Sequence, residues 1–214
     1  MEILQTQLQN MGYLRASVDV YNEIKGKKLV TTYLLHPRQP YFINKVDYDI
    51  RDSAIAIVLN MADSTRRGLK SGMMFNVANL DNERSVISRY LANRGYYRFN
   101  KDFISYKADS VPGSHLIDIT LVLDKYRSGE ESNLPHQVYT IGDVDFVSGN
   151  PNDSVIPLRQ SVLSSNTFLE SGALYAFDNL QSTYNHFGRL GAVRYTNISF
   201  HERDFEPVLD CDIH

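Results

Sequence analysis

Histidine and cysteine are the residue types most suited to metal binding and nucleophilic catalysis, and their spacing here favours neither. The six histidines are scattered along the chain: His36, His115, His136, His186, His201 and His214. They form no His-Glu-x-x-His motif and no i, i+4 pair, so a metal site is not expected. The single cysteine, Cys211, excludes an intrachain disulfide and a cysteine-based zinc site. Its place in an alternating strand predicts a small core residue rather than a nucleophile.

Paired carboxylates are the other candidates for chemistry. Asp143 and Asp145 alternate along one predicted strand, and Asp47 and Asp49 do the same along another. Two carboxylates at this spacing could share a proton or a cation. Their predicted position on the open face of a sheet favours solvated surface charge instead. No Gly-x-Ser-x-Gly, Walker A or Gly-x-Gly-x-x-Gly motif occurs, so we expect no enzyme and no cofactor.

Composition excludes several classes of partner. The chain has 214 residues, of which 43% are hydrophobic and 22% charged, with a formal net charge of -3. This balance is typical of globular domains and gives no basic field for nucleic acid. No apolar run reaches the ~18–20 residues of a membrane-spanning helix. We therefore expect no nucleic-acid partner. Since the enzyme motifs are also missing, we expect no small-molecule substrate either.

The dominant feature of the sequence is an internal repeat. Gly72–Leu80 reads GMMFNVANL and Gly172–Leu180 reads GALYAFDNL, which share the glycine, the aromatic residue three positions later and the Asn-Leu pair. Two further pairs of segments match: Leu8–Leu14 (LQNMGYL) with Leu91–Tyr97 (LANRGYY), and YFINKVDY with YTIGDVDF. Repeats of this kind indicate an array of small similar units.

Each repeat unit has the predicted order β-α-α-β-β. For the second unit we predict strands at Tyr41–Ile50, Phe99–Ala108 and Leu116–Leu123, with helices starting at Asp52 or Ser53 and at Asn79 or Asp81. For the third unit we predict strands at Val138–Val147, Tyr195–His201 and Val208–Ile213, with helices around Val155–Leu163 and at Phe177–Leu190. The first unit shows only its last elements, a helix at Met1–Met11 and strands at Ala16–Tyr21 and Leu29–Leu35.

These elements predict an α+β fold of tandem units, each a three-stranded mixed sheet with two helices on one face. A right-handed crossover and a hairpin place the third strand in the centre, parallel to the first and antiparallel to the second. The second strand then lies at an edge with unpaired backbone groups. We predict the C-terminal part of a first domain at 1–36, a complete second domain at 37–126, a linker at 127–136, and a third domain at 137–214 that is truncated in its last strand.

The element order, the Gly-x-x-aromatic motif, the Arg-Gly-Tyr-Tyr segment (Arg94–Tyr97) and the Ile-Asp-Ile-Thr-Leu strand (Ile117–Leu121) resemble tandem POTRA domains. The resemblance is to the periplasmic arm of the BamA/TamA family of outer-membrane assembly proteins, and it extends over essentially the whole chain. The C-terminal membrane barrel of that family is missing here. The third unit is also about one helical turn shorter than the second between its Asn-Leu pair and the following glycine.

The resemblance implies a periplasmic module of a Gram-negative outer-membrane protein. Its partners would be unfolded outer-membrane proteins, periplasmic lipoproteins or chaperones, and the parent protein would carry a barrel. Binding would occur by strand addition at the edge strands Phe99–Lys107 and Tyr195–His201. The site residues predicted there are Phe99, Lys101, Phe103, Ser105, Lys107, Tyr195, Asn197, Ser199 and His201.

Three alternatives remain open at the level of sequence. The lysines Lys101 and Lys107 could serve only as charged protection of an exposed edge against aggregation. The chain could be the POTRA arm of a two-partner secretion transporter, which would engage a single substrate. It could also be an architectural spacer without a client of its own.

Overall fold

The computed structural model describes residues 2–61, 68–128, 131–148, 156 and 158–214. Contacts divide the chain into two compact units, one formed by Met1–Val86 with Lys101–Asn133 and the other by Ile87–Asn100 with Leu134–His214. The segment Ile87–Asn100 therefore belongs by its contacts with the third repeat, although the sequence places it in the second. The predicted domain limits at residues 36, 126 and 136 remain predictions.

The first repeat contributes one helix and a hairpin. Helix α1 (Glu2–Asn10) ends just before Gly12, whose φ of 98° is the left-handed conformation typical of a glycine that stops a helix. Strands β1 (Ser17–Lys25) and β2 (Lys28–His36) form an antiparallel two-stranded sheet. Both strands are longer than predicted because the polar segment after Tyr21 continues the ladder as far as Lys25.

The second repeat has the predicted order. It consists of β3 (Phe42–Ile50), α2 (Ser53–Met61), α3 (Val77–Ala92), β4 (Ile104–Ser110) and β5 (Leu116–Leu123). The strand order is β3-β5-β4, with β5 parallel to β3 and antiparallel to β4. This topology confirms the predicted central third strand and the mixed sheet.

Burial follows the alternation read from the sequence. Ile117, Ile119, Leu121 and Leu123 are all at most 2% exposed, and the intervening Asp118 and Thr120 are partly exposed. The core of this repeat also includes the two aromatic residues of the repeated motifs, Tyr41 and Phe75. One face of β5 is thus buried, while the other is partly exposed at Asp118 and Thr120 and becomes buried only at Val122, which is 2% exposed.

The third repeat has the same arrangement. It consists of β8 (Thr140–Phe146), α4 (Gln160–Ser165), α5 (Phe177–Phe187), β9 (Ile198–Glu202) and β10 (Val208–Ile213), in the strand order β8-β10-β9. Helix α5 has 11 residues where α3 has 16, which confirms the predicted loss of about one turn. Val155, where one predicted helix begins, lies outside the described residues.

The predicted linker at 127–136 contains regular structure. Strands β6 (Tyr126–Ser128) and β7 (Glu131–Leu134) pair with each other, while residues 129 and 130 lie outside the described part of the chain. His136 is buried, and its ring lies 4.9 Å from that of Phe99. The sequence of the predicted linker gives no sign of this pairing or of the contact between His136 and Phe99.

Two helix starts are fixed by side-chain caps. Asp52 is 1% exposed, and its Oδ1 accepts hydrogen bonds from the backbone N–H groups of Ala54 (3.0 Å) and Ile55 (3.2 Å). Helix α3 begins earlier than predicted because Asn76, rather than Asn79 or Asp81, accepts the N–H of Ala78 at 2.8 Å. These bonds satisfy N–H groups that the first turn cannot pair.

We expect Asp52→Ala to destabilise the fold by about 1–2 kcal/mol, because two helix N–H groups lose their acceptor. Ser53→Ala is the matched control, since Ser53 is exposed and next to the cap. It should cost less than about 0.5 kcal/mol. Urea unfolding of both variants measures the difference, and equal midpoints would show that the cap contributes nothing.

Candidate functional site

The edge strands β4 and β9 are the candidate protein-binding site. Among the described strands, each pairs on one side only, with the central strand β5 or β10. We call the side facing away from the central strand the open edge. An extended peptide could pair there as an additional strand.

The start of β4 differs from the prediction. Residues Lys101–Phe103 form a 3₁₀ turn, and the strand begins only at Ile104. The turn is held in place because the Arg84 guanidinium donates two hydrogen bonds to the Lys101 carbonyl, at 3.0 and 2.8 Å. Phe99 is buried, 6% exposed, which removes it from the edge. Of the five site residues predicted here, the structure therefore places Ser105 and Lys107 on β4 and leaves Phe99, Lys101 and Phe103 outside it.

The start of β9 also lies later than predicted. Tyr195 is 78% exposed in the preceding loop, outside the strand. Asn197 precedes β9 but exchanges two backbone hydrogen bonds with His214, at 3.0 and 2.8 Å. Ser199 and His201 lie within the strand, and the His201 imidazole is 3.2 Å from the Asp212 carboxylate.

Along β4, alternate residues hydrogen-bond to β5, and the residues between them direct their backbone groups to the open edge. The position of this alternation, its phase, determines which residues these are. The Asp124 N–H donates to the Phe103 carbonyl and the Val111 N–H donates to the Leu116 carbonyl, both at 2.9 Å. Hydrogen-bonded and non-hydrogen-bonded pairs alternate along an antiparallel ladder. Ser105 and Lys107 therefore bond inward to β5. The outward N–H and C=O groups belong to Ile104, Tyr106, Ala108 and Ser110, of which Ala108 and Ser110 are exposed.

The same reasoning applies to β9. Asn197 bonds to His214, and the Arg203 N–H donates to the Val208 carbonyl at 3.0 Å, which fixes the phase at both ends. Ser199 and His201 bond inward, and the outward groups belong to Ile198, Phe200 and Glu202. The Ile198 N–H already donates to the Tyr184 hydroxyl at 3.0 Å. Phe200 and Glu202 thus carry the outward backbone groups that remain.

The opposite edge of each sheet is covered at its start by the repeated Gly-x-x-aromatic motif. The Gly72 N–H donates to the Ile43 carbonyl, and the Ile43 N–H donates to the Met73 carbonyl, both at 2.8 Å. Gly172 and Ala173 make the same two bonds with Ile141 in the third repeat. The motif therefore pairs with the first strand of its repeat, a role that the repeated sequence did not reveal.

A second repeated motif forms what we call the joint, a left-handed glycine whose carbonyl accepts the N–H of the tyrosine that starts the next repeat. The Tyr41 N–H donates to the Gly12 carbonyl at 2.9 Å, and the Tyr139 N–H donates to the Gly95 carbonyl at 2.8 Å. The two glycines have φ values of 98° and 91°. The residue two positions after each, Leu14 or Tyr97, packs against the core that contains the bonded tyrosine.

Three of the four carboxylates that the sequence singled out, Asp143, Asp47 and Asp49, lie next to basic side chains. Arg203 contacts both Asp210 and Asp143 at 2.7 Å, and this hydrogen bonding lowers the pKa of the Asp210 carboxyl. Lys45 pairs with Asp47 at 3.0 Å. No group of three or more His, Cys, Asp or Glu side chains that could hold a metal ion occurs among the described residues. These contacts are those of surface ion pairs.

In the described part of the chain, no helix is both long and apolar enough to cross a membrane.

Comparison with solved structures identifies the fold. The chain is similar to the crystal structure of Haemophilus influenzae BamA POTRA3-5, with a TM-score of 0.57 and 17% identity over 99% of this chain and 76% of that one. It is also similar to BamA from Haemophilus ducreyi lacking POTRA domains 1-3, with a TM-score of 0.61 and 16% identity over 81% of this chain and 29% of that one. No family model and no curated protein matches the sequence. The chain has the POTRA fold.

We expect Gly95→Ala to destabilise the protein more than Gly172→Ala, although both glycines have positive φ. A Cβ at Gly95 would lie 2.5 Å from Val138 Cγ1 and 3.1 Å from the Tyr139 carbonyl oxygen, whereas a Cβ at Gly172 would meet nothing within 4 Å. Both variants incur about 1–2 kcal/mol of backbone strain, and Gly95→Ala adds the clash. Equal loss of stability in denaturant unfolding would contradict a close-packed joint.

The Cys211 thiol should not react in the folded protein. Its side chain is 1% exposed, and burial raises its pKa to about 12, so the thiol stays protonated at pH 8–9, where a free thiol begins to ionise. Since thiolate is the nucleophile, a thiol-specific chromogenic reagent at pH 8 should label the protein only after denaturant is added. Rapid labelling without denaturant would show that Cys211 is accessible.

Proposed function

We propose that this chain is a periplasmic protein-binding module of an outer-membrane assembly or transport protein. It binds unfolded barrel precursors or partner proteins by adding their extended segments to the open edges of β4 and β9. The POTRA fold and the similarity to BamA POTRA structures support the class of function. The proposal places the module beside an outer-membrane barrel carried by the parent protein.

The observation that carries the proposal is the outward backbone ladder of β4. Tyr106, Ala108 and Ser110 direct N–H and C=O groups away from β5 at intervals of two residues. An added strand would pair with such a row at the same spacing. Because every peptide carries the same backbone groups whatever its sequence, binding would be weak and many different clients would bind.

The surroundings of β4 suit transient pairing. Ser105, Lys107, Ala108, Asp109 and Ser110 are all exposed, so no element in the described part of the chain covers the strand there. Charged residues such as Lys107 and Asp109 discourage permanent edge-to-edge association. An edge of this kind can accept a peptide reversibly without promoting aggregation of the module itself.

No catalytic step is part of the proposal. The histidines are dispersed, the cysteine is buried, and Asp47 and Asp143 are paired with basic side chains. The chain acts by holding proteins, and its specificity lies in which edges are open and in the side chains that flank them.

An NMR titration with peptides from outer-membrane barrel strands tests the proposal. Strand addition predicts amide shifts at Tyr106, Ala108 and Ser110, with smaller changes on the helices. Shifts confined to the helices, or no shifts at millimolar peptide, would contradict it. In the latter case the chain is better described as an architectural spacer, and a preference for one substrate peptide would favour a two-partner secretion arm.

Ala108→Pro should weaken peptide binding at β4 by roughly three- to tenfold, because proline removes one outward N–H. Proline is tolerated at an edge position whose N–H faces solvent. Ala108→Val is the matched control, since it keeps the N–H and a β-compatible side chain. The same NMR titration measures both, and equal affinities for the two variants would rule out pairing at residue 108.

A further inference from the structure

The open edges of β4 and β9 differ in what their outward residues do with their side chains. On β9 the outward backbone groups belong to Phe200 and Glu202, and both side chains are engaged. The Phe200 ring lies 5.5 Å from the ring of Tyr97 and 5.7 Å from that of Tyr175. Tyr97 in turn contacts Tyr139 at 5.8 Å and Tyr175 at 5.1 Å. Edge-on aromatic contacts at these distances are attractive.

Glu202 is held by a planar clamp. Arg98 Nε donates to Glu202 Oε1 at 2.8 Å, while Arg98 Nη2 donates to Oε2. The Tyr139 hydroxyl donates to the same Oε2 at 3.1 Å. A bidentate arginine–carboxylate pair fixes direction as well as distance. Glu202 thus ties the last residue of β9 to the segment that contains the joint glycine, Gly95.

A second polar contact fixes that segment from its other side. Asp178, at the start of α5, accepts from Arg89 Nε at 2.9 Å and from Asn93 Nδ2 at 2.8 Å, and the Asp178 N–H donates to Asn93 Oδ1 at 2.8 Å. The segment Arg89–Arg98 therefore contacts two elements of the third repeat. Its first part contacts α5, and its last residues contact β9. Tyr97 and Arg98 are held where they can position β9.

The equivalent residues of β4 have no such ties. Cys211 and Ile119 occupy the same place in their sheets, opposite Val144 and Val46 of the repeated first-strand motif. Phe200 of β9 pairs with Cys211, and Ala108 of β4 pairs with Ile119, so Phe200 and Ala108 are equivalent positions. Glu202 and Ser110, each two residues later, are equivalent in the same way. Ala108 and Ser110 are exposed, and within the described residues neither side chain makes a hydrogen bond, an ion pair or a ring contact. Leu14 and Arg15 stand in place of Tyr97 and Arg98.

We infer that Tyr97 and Arg98 are positioning residues for the open edge of β9, so that strand addition at β9 depends on the docked joint while strand addition at β4 does not. The inference rests on the proposed function for its binding consequence. Tyr97 and Arg98, which follow the joint glycine Gly95, fix the side chains of Phe200 and Glu202. Phe200 and Glu202 also carry the outward backbone groups of β9. Loss of the contacts made by Tyr97 and Arg98 therefore makes the backbone of β9, to which a peptide would pair, more mobile.

Two readouts test this inference in the whole chain. Hydrogen exchange without peptide follows the amides of Ser199 and His201, which bond to β10, against those of Ser105 and Lys107, which bond to β5. Arg98→Ala should raise exchange on β9 by roughly two- to fivefold and leave β4 unchanged, as expected for a partly exposed ion pair. Tyr97→Leu, which installs the residue type of the first joint, should raise it further because the ring contacts with Phe200, Tyr175 and Tyr139 are all lost.

The second readout is affinity for a barrel-strand peptide, measured from amide shifts at each edge. Arg98→Ala should weaken binding at β9 by roughly two- to fivefold without changing binding at β4. Arg15→Ala at the first joint is the matched control and should change neither edge. Arg98→Lys, which keeps the charge and loses the bidentate fork, should recover only part of the wild-type affinity.

The possible results distinguish failure of the positioning role from failure of the proposed function. Unchanged exchange on β9 in both Arg98→Ala and Tyr97→Leu would overturn the positioning role, whether or not peptide binds. Equal weakening at both edges would also overturn it, because a general loss of stability would then explain the effect. Absence of peptide binding to the wild-type chain would refute the proposed function, while the exchange rates would still decide whether the joint positions β9.

Discussion

The pairing of the third strand with both of its neighbours is the constraint on which each repeat depends. β5 and β10 sit in the centre because the crossover from the first strand is parallel and the hairpin from the second strand is antiparallel. The second strand is then left at an edge by topology, whatever its sequence. The first strand occupies the other edge, and there the Gly-x-x-aromatic motif supplies covering hydrogen bonds. The fold thus covers part of one edge and leaves the second strand available.

The joint is the second constraint, and it explains why compact units and sequence repeats do not coincide. A left-handed glycine ends a helix and aims its carbonyl at the first strand of the following repeat, so the residues around it pack with that repeat. Around Gly95 this packing includes Tyr97 and the Arg98–Glu202 pair; around Gly12 it includes Leu14. The two joints share their backbone geometry and differ in their side chains. Exposed ion pairs contribute little free energy, and their effect here lies in fixing direction.

The sequence predicted most accurately where one physical signal dominates. Leu116–Leu123 and Val208–Ile213 were predicted with the bounds that the structure shows, because period-two alternation over a buried central strand leaves no other interpretation. The start of β4 was predicted too early because an aromatic residue such as Phe99 is typical of a strand. In the structure Phe99 packs on His136, 37 positions away, and a 3₁₀ turn follows it. Aromatic composition does not reveal such a contact.

The site could be predicted only in part. The edge position of the second strands follows from element order, but the outward residues depend on the phase of the hydrogen-bond ladder. That phase is set by pairs such as Phe103–Asp124 and Asn197–His214, so the sequence pointed to Ser105, Lys107, Ser199 and His201 rather than to their neighbours. The Arg98–Glu202 clamp joins residues 104 positions apart and leaves no local pattern.

The central claim is that a client segment becomes an additional strand on β4. The most direct measurement is an isotope-filtered NOE experiment on the chain with a bound barrel-strand peptide. Strand addition predicts backbone-to-backbone NOEs between the peptide and Tyr106, Ala108 and Ser110, repeating at every second peptide residue. NOEs only between side chains, or contacts with the helices alone, would show that the peptide binds without joining the sheet.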